Sequence, residues 1–258
     1  MNEYSLPNLN HDLTGQVALV TGTTSGLGER FARVLAACGA KVAITGRRVE
    51  RLETLAEELR GNGATVEPIA LDMRDNDSIN ACVEQAEKAL GTITILVNNA
   101  GIPDAQRAHK MSNQLIDDVF DTNLRGPYVL SCEIARRLIA AELPGRMVNI
   151  SSVGAFNYSG QGAALYSITK AGVIRMTEAL AVEWARFNIN VNAIAPGAFS
   201  SEMMDGMVER MGDIAKAFPR KRICDPAEMD STLVYLVSPA SSAFTGTFIK
   251  IDDGQGTR

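Results

Sequence analysis

The sequence predicts an α/β fold, a single-domain, doubly wound parallel sheet with helices on both faces. Three observations carry this. Short β-branched runs alternate with longer amphipathic stretches along the whole chain. The runs are nearly unbroken in apolar residues, as strands covered on both faces are. No linker, repeat or composition shift divides the 258 residues, a length that suits one large domain.

The elements follow in order. Val17 to Thr21 is the first strand, and Gly26 to Cys38 the first helix, with Leu27, Phe31, Val34 and Leu35 on its apolar face. Lys41 to Thr45 is a strand and Val49 to Leu59 a helix. Strands over Thr65–Leu71 and Ile93–Val97 flank a helix over Ile79–Leu90. Met147 to Ile150 and Ile189 to Ile194 are further strands, separated by a helix over Ala164–Phe187. One long helix is expected over Ser112–Ala141, and Phe248 to Ile251 closes the sheet. Such alternation implies right-handed crossovers. Residues 1–12 form an arm, and 13–258 one dinucleotide-binding and catalytic domain. Residues 198–222 break the rhythm. They hold Met203, Met204, Met207 and Met211 and form either a helical cover or a mobile lid, since Met adapts to varied apolar shapes.

Composition excludes several classes. Hydrophobic residues reach 46%, enough for a core, which rules out disorder of the whole chain. A net charge of −5 argues against a nucleic-acid or anionic-membrane partner. Cys38, Cys82, Cys132 and Cys224 are far apart, and no CxxC or HExxH spacing exists, so no metal site is expected. His11 and His109 lie in polar stretches unsuited to a catalytic base. No signal-like or membrane-spanning run appears, so a cytoplasmic setting is expected.

The turn after the first strand reads Thr21-Gly22-Thr23-Thr24-Ser25-Gly26-Leu27-Gly28. Gly22 permits the turn, Gly26 close approach of a ligand, and Gly28 tight helix–strand packing. The helix N-terminus then offers N–H groups to a pyrophosphate. Gly22, Thr24, Ser25, Gly26, Leu27 and Gly28 are therefore cofactor candidates.

The glycine spacing is G-x3-G-x-G, and further motifs follow at strand ends. They are Asn98-Asn99-Ala100-Gly101, Asn123, Asn149-Ile150-Ser151-Ser152, Tyr166-x-x-x-Lys170, and Asn190 to Gly197. In this set and order the chain resembles the short-chain dehydrogenase/reductase family, from about Leu13 to Gly254. The resemblance implies a Rossmann-type fold and an NAD(P)-dependent oxidoreductase. Tyr166 and Lys170, four apart, share one helix face. A phenol is a poor acid or base at neutral pH. A neighbouring ammonium lowers its pKa, which makes Tyr166 the candidate proton donor or acceptor. Ser152, chosen over Ser151, holds the substrate oxygen. The resemblance gives Lys170 the nicotinamide ribose and Asn123 a relay water. Phe156 and Tyr158 are either core or pocket.

The second strand ends Gly46-Arg47-Arg48, with no carboxylate to hold a ribose 2′-OH. NADP is expected over NAD, with Arg47 the main grip on a 2′-phosphate. Ser25 stands where many NADP-dependent members carry a basic residue. Asp72 and Met73 are placed at the adenine, and Asn99, Ala100 and Gly101 on its ribose side. Pro196, Gly197, Phe199 and Ser201 border the nicotinamide.

The expected reaction is hydride transfer between NADP(H) and a ketone or secondary alcohol, with a small or hydrophobic carbonyl compound as substrate. The alternatives are 3-oxoacyl thioesters, sugars or polyols on the same chemistry. A reductase acting on an acidic carrier protein tends to show basic residues near the entrance. The comparable places here carry Glu142-Leu143 and Phe187. A non-catalytic NADP-binding sensor is the reading from another class. Family members are usually homotetramers or homodimers. Asp253 replaces a glycine of the frequent Asp-Gly-Gly ending, which puts that turn in question.

Overall fold

The computed structural model describes residues 8–158, 160 and 162–256; most of the arm, Ser159, Gln161 and the last two residues lie outside it. Among the described residues, seven strands form one parallel sheet in the order β3-β2-β1-β4-β5-β6-β7. The strands are β1 (Val17–Thr21), β2 (Lys41–Gly46), β3 (Val66–Ala70), β4 (Ile95–Asn98), β5 (Gly145–Ile150), β6 (Ile189–Pro196) and β7 (Phe248–Ile251). Strand order reverses between β1 and β4, which opens a crevice at their carboxyl ends.

Alternation along β1 divides the core. Ala18 and Val20 face a cluster with Phe31 and Leu35 of α1 (Gly26–Ala37), Leu52 and Leu55 of α2 (Val49–Gly61), and Leu233 and Leu236 near the C-terminus. Val17 and Leu19 face the opposite cluster, with Ile79 and Val83 of α3 (Asn76–Leu90), Leu130 and Ile134, and Val173 and Leu180. Both sheet faces are thus covered by helices, as the apolar runs predict.

The long helix expected over Ser112–Ala141 is three pieces. They are α4 (Asn113–Phe120), a π-helical turn at Asp121–Arg125, and α5 (Gly126–Ala140). The wider turn brings Asn123 against Ile102, whose N–H and C=O both bond to its side-chain amide. π-turns of this kind recur at functional sites. Next come α6 (Ala164–Trp184), α7 (Glu202–Met211) and α8 (Asp230–Val237). The sequence reading gave no range for α8, yet it closes one face through Leu233, Leu236 and Val237.

Among the described residues no group of His, Cys, Asp or Glu is arranged to hold a metal, and no helix is long and apolar enough to cross a membrane. The four cysteines are free.

Candidate active site

The glycine turn is held from both sides. Gly22 has φ +71°, and a Cβ there would lie 3.0 Å from the Ala100 backbone. A Cβ on Gly28 would lie 2.2 Å from the Gly22 carbonyl oxygen, so only glycine lets α1 start this close to β1. Gly26, expected to admit a ligand, has φ +57° and faces Ser201, whose Cβ would be 3.0 Å from its own. Ser25 is the N-cap of α1 but makes no capping hydrogen bond. The start of α1 therefore keeps N–H groups and the positive end of its dipole for an anion.

Asn99 does more inside the protein than the ribose-side placement suggests. Its side-chain amide donates to the carbonyls of Thr21 and Gly22 at 2.9 and 3.1 Å. The N–H groups of Asn99 and Ala100 both donate to Thr21 Oγ1. Thr21 is thus a positioning residue that the motif reading passed over. Asp72, placed at the adenine, spends its carboxylate on Arg74, which also reaches Asp118. Met73 is buried, with its carbonyl against Gly126.

The guanidinium that lies on the glycine turn belongs to Arg48 rather than Arg47. Arg48 Nη2 donates to Thr24 Oγ1 at 2.6 Å and to Ser25 Oγ at 3.2 Å. The basic charge missing at position 25 is supplied here by a neighbour in space. Arg47 is exposed on the Asp72 side, where its charge helps hold that carboxyl below its usual range.

Ser152, Tyr166 and Lys170 come together at the carboxyl ends of the central strands. Ser152 Oγ and the Tyr166 ring both face Gly154, at 3.3 and 3.9 Å from where its Cβ would be, and Ser152 Oγ accepts from the Gly154 N–H at 3.0 Å. Ser151 is buried and donates instead to the Lys170 carbonyl at 2.8 Å, which leaves Ser152 as the serine beside the phenol. Lys170 Nζ donates to the Ile150 carbonyl at 2.8 Å and stands 5.6 Å from the Tyr166 ring centre. Asn123 Oδ1 and Lys170 Nζ both face Gly101, at 3.4 and 3.5 Å from where its Cβ would be.

The electrostatics correct one expectation. Burial raises the Tyr166 pKa above the usual phenol value, the Ser152 hydroxyl works against this, and the Asp104 charge adds a smaller push upward. Burial also lowers Lys170, to about 8.

The nicotinamide-side residues are braced by the C-terminal segment. The Gly197 N–H donates to the Ile251 carbonyl, and the Ala198 N–H to Gln255 Oε1 at 2.6 Å. A Cβ on Gly197 would lie 2.5 Å from that same oxygen. Phe199 is buried beside Cys224, and Ser201 Oγ caps α7 through the Met204 N–H. Asp253 takes the place of the common glycine with φ +49°. Its carboxylate pairs with Arg220 and Arg222, which ties residues 220–222 to the C-terminus.

At the other end of this segment, Glu202 pairs with Arg48 and Arg51. Arg51 first, then Arg48 and Ser25, hold its carboxyl at about 2. No residue of α7 is buried. Phe156 stacks on Phe248 at 5.0 Å, and Tyr158 is exposed. Glu142, Leu143 and Phe187 precede β5 and β6, at the sheet edge opposite the crevice. They therefore say little about what enters it.

Residues 16–212 match the family model described as short chain dehydrogenase. The chain is 36% identical to oxidoreductase UcpA of Escherichia coli over 94% of its own length and 95% of the relative's. A gluconate 5-dehydrogenase from Burkholderia cenocepacia, solved with NADP and tartrate, is 30% identical, with TM-score 0.89 over 95% of this chain and 97% of that one. A 3-ketoacyl-(acyl-carrier-protein) reductase from Brucella melitensis, solved with NADH, is 31% identical, with TM-score 0.87 over 95% of this chain and all of that one. The chain belongs to the short-chain dehydrogenase/reductase family and is an NAD(P)-dependent oxidoreductase.

Proposed function

We propose that this enzyme moves a hydride between NADP(H) and a ketone or secondary alcohol, with Tyr166 as general acid and base. The observation that carries the reading is that Ser152, Tyr166 and the buried Lys170 meet at one place, with Lys170 Nζ 5.6 Å from the Tyr166 ring centre and Ser152 Oγ beside Gly154 with the same ring. In the reducing direction, Tyr166 Oη hands its proton to the carbonyl oxygen. Ser152 Oγ donates to the same oxygen and stabilises its growing charge. Lys170 Nζ recharges the phenol, and Asn123 positions a water between Lys170 and solvent. When bound, the nicotinamide supplies or accepts the hydride.

The residues fit such a cofactor. The open start of α1 suits a pyrophosphate. Gly46 in place of a carboxylate, with Arg48 on Thr24 and Ser25, favours a 2′-phosphate. Arg47 would close it from the adenine side. Residues 198–222 act as the lid, and their half-exposed Met side chains favour a small or hydrophobic carbonyl. We infer that residues 13–258 work as one catalytic unit in a homodimer or homotetramer. The groove between α5 and α6 supports this, with Phe120, Tyr128 and Trp184 in its lining.

Initial rates with NADPH and NADH across a panel of ketones, sugars and acyl thioesters test the reading. Preference for NADPH with a ketone is expected. A clear NADH preference sinks the cofactor assignment, and turnover of sugars alone sinks the substrate class. Cofactor binding without turnover of any of them supports the sensor reading instead.

A further inference from the structure

The helix that carries Tyr166 starts without a cap of its own. Its N-cap is Ala163, whose methyl group accepts no hydrogen bond. First-turn N–H groups left this way need an oxygen from elsewhere. That oxygen comes from the loop after β4. Asp104 Oδ2 accepts from the Leu165 N–H at 2.9 Å and the Tyr166 N–H at 3.1 Å. Asp104 Oδ1 accepts from the Ala105 N–H at 2.8 Å.

The carboxylate is 3% exposed, and burying a charge is costly. A serine or threonine at position 163 caps a helix without that cost. A charge that a neutral cap could replace points to a use beyond capping. The position of Asp104 suggests which. The same loop presents Ile102 to Asn123, so one short stretch holds both Asn123 and Tyr166. The N-terminal end of α6 carries partial positive charge, which by itself favours a phenolate at Tyr166. Around this phenol, Lys170 on α6 adds positive charge, Ser152 after β5 is neutral, and Asp104, seated on the Tyr166 backbone N–H, adds negative charge that acts through space.

We propose that Asp104 is a positioning residue for proton transfer, seating Tyr166 by its backbone N–H and opposing the helix field so that the phenol keeps its proton for carbonyl reduction. This rests on Tyr166 being the proton-transfer group. The sign follows directly. Removing the negative charge favours the phenolate and lowers the pKa of Tyr166. The high-pH limb of the reduction profile then moves to lower pH, because the donor is lost earlier. The low-pH limb of alcohol oxidation moves the same way, because the base appears earlier.

The test compares the parent with Asp104→Asn and with Asp104→Asn/Ala163→Ser, which regains a local neutral cap. Both directions are followed by kcat/KM against pH, with Tm and NADPH fluorescence titration alongside. We expect both limbs to fall by about half a pH unit or more in each variant. The added serine should restore Tm but leave the limbs low. Limbs that stay in place while Tm falls, or that return together with Tm, overturn the proposal and leave Asp104 a structural cap. The double variant keeps the test open if Asp104→Asn alone fails to fold. Tyr166→Phe run in parallel separates the layers, since retained turnover there overturns the Tyr166 reading itself.

Discussion

The crevice wall and residues 198–222, the segment proposed as a lid, are built in opposite ways. At the wall, Thr21, Gly22, Gly28 and Asn99 interlock through backbone bonds and glycine-only contacts. In the lid, α7 buries nothing, and the segment is tied at its ends by Glu202 to Arg48 and Arg51, and by Asp253 to Arg220 and Arg222. The Glu202 pairs are exposed and contribute about 0–1 kcal/mol each, whereas the Asp253 carboxylate is only 8% exposed. Buried interlocks fail at a larger cost. On the proposed function, cofactor and proton chemistry would lie on the interlocked part, and substrate choice on the part that moves at little cost.

Substitutions that break the wall should therefore cost more than those that loosen the lid. The largest effect is expected for Tyr166→Phe, with kcat down by about 10²–10⁴-fold and NADPH binding kept. Stopped-flow turnover beside a fluorescence titration checks both halves. Next comes Gly28→Ala. Its Cβ has a backbone carbonyl in the way, so a stability loss of about 1–3 kcal/mol is expected, together with lost cofactor affinity. Urea unfolding and titration measure these, and a neutral result would show the wall to be as pliable as the lid.

Lys170 sharpens the wall side through pH. Its folded pKa of about 8 lies below the ordinary lysine value of 10.5. Between these values the unfolded chain holds the proton that the folded chain has released, so this residue's contribution makes stability rise with pH. The unfolding free energy of Lys170→Met relative to the parent should thus be most favourable below pH 8 and decline toward pH 10.5. Paired urea melts at pH 7 and pH 10 decide it, and a constant difference refutes the burial argument.

Arg48 stands where the two regions meet. Arg48→Ala should weaken NADPH about tenfold while leaving NADH nearly unchanged. Equal loss of both cofactors in equilibrium titrations would show that Arg48 serves the glycine turn and not a 2′-phosphate. The smallest effect is expected for Met203→Ala, within about 0.5 kcal/mol in stability. KM values across ketones of different size should shift while kcat holds. A large Tm drop would mean that α7 is part of the core after all.

Much of this was legible in the residue order. Continuous apolar strands determined a doubly wound sheet, because a strand without a polar face must be covered twice. Gly22, Gly26 and Gly28 marked the tight turn from β1 into α1, and the four-residue spacing put Tyr166 and Lys170 on one face. What the order could not reveal are contacts between residues distant in the chain. Arg48, not Arg47, reaches Thr24, a contact between the turns that follow the neighbouring strands β2 and β1. The π-turn at Asn123 seats its amide on Ile102, a partner 21 residues away in the chain. The phenol's direction of shift was also hidden, since burial is a property of the packed site. Asp104 is the clearest case. In the sequence it is one acidic loop residue, and only the fold brings it to the uncapped helix that carries Tyr166.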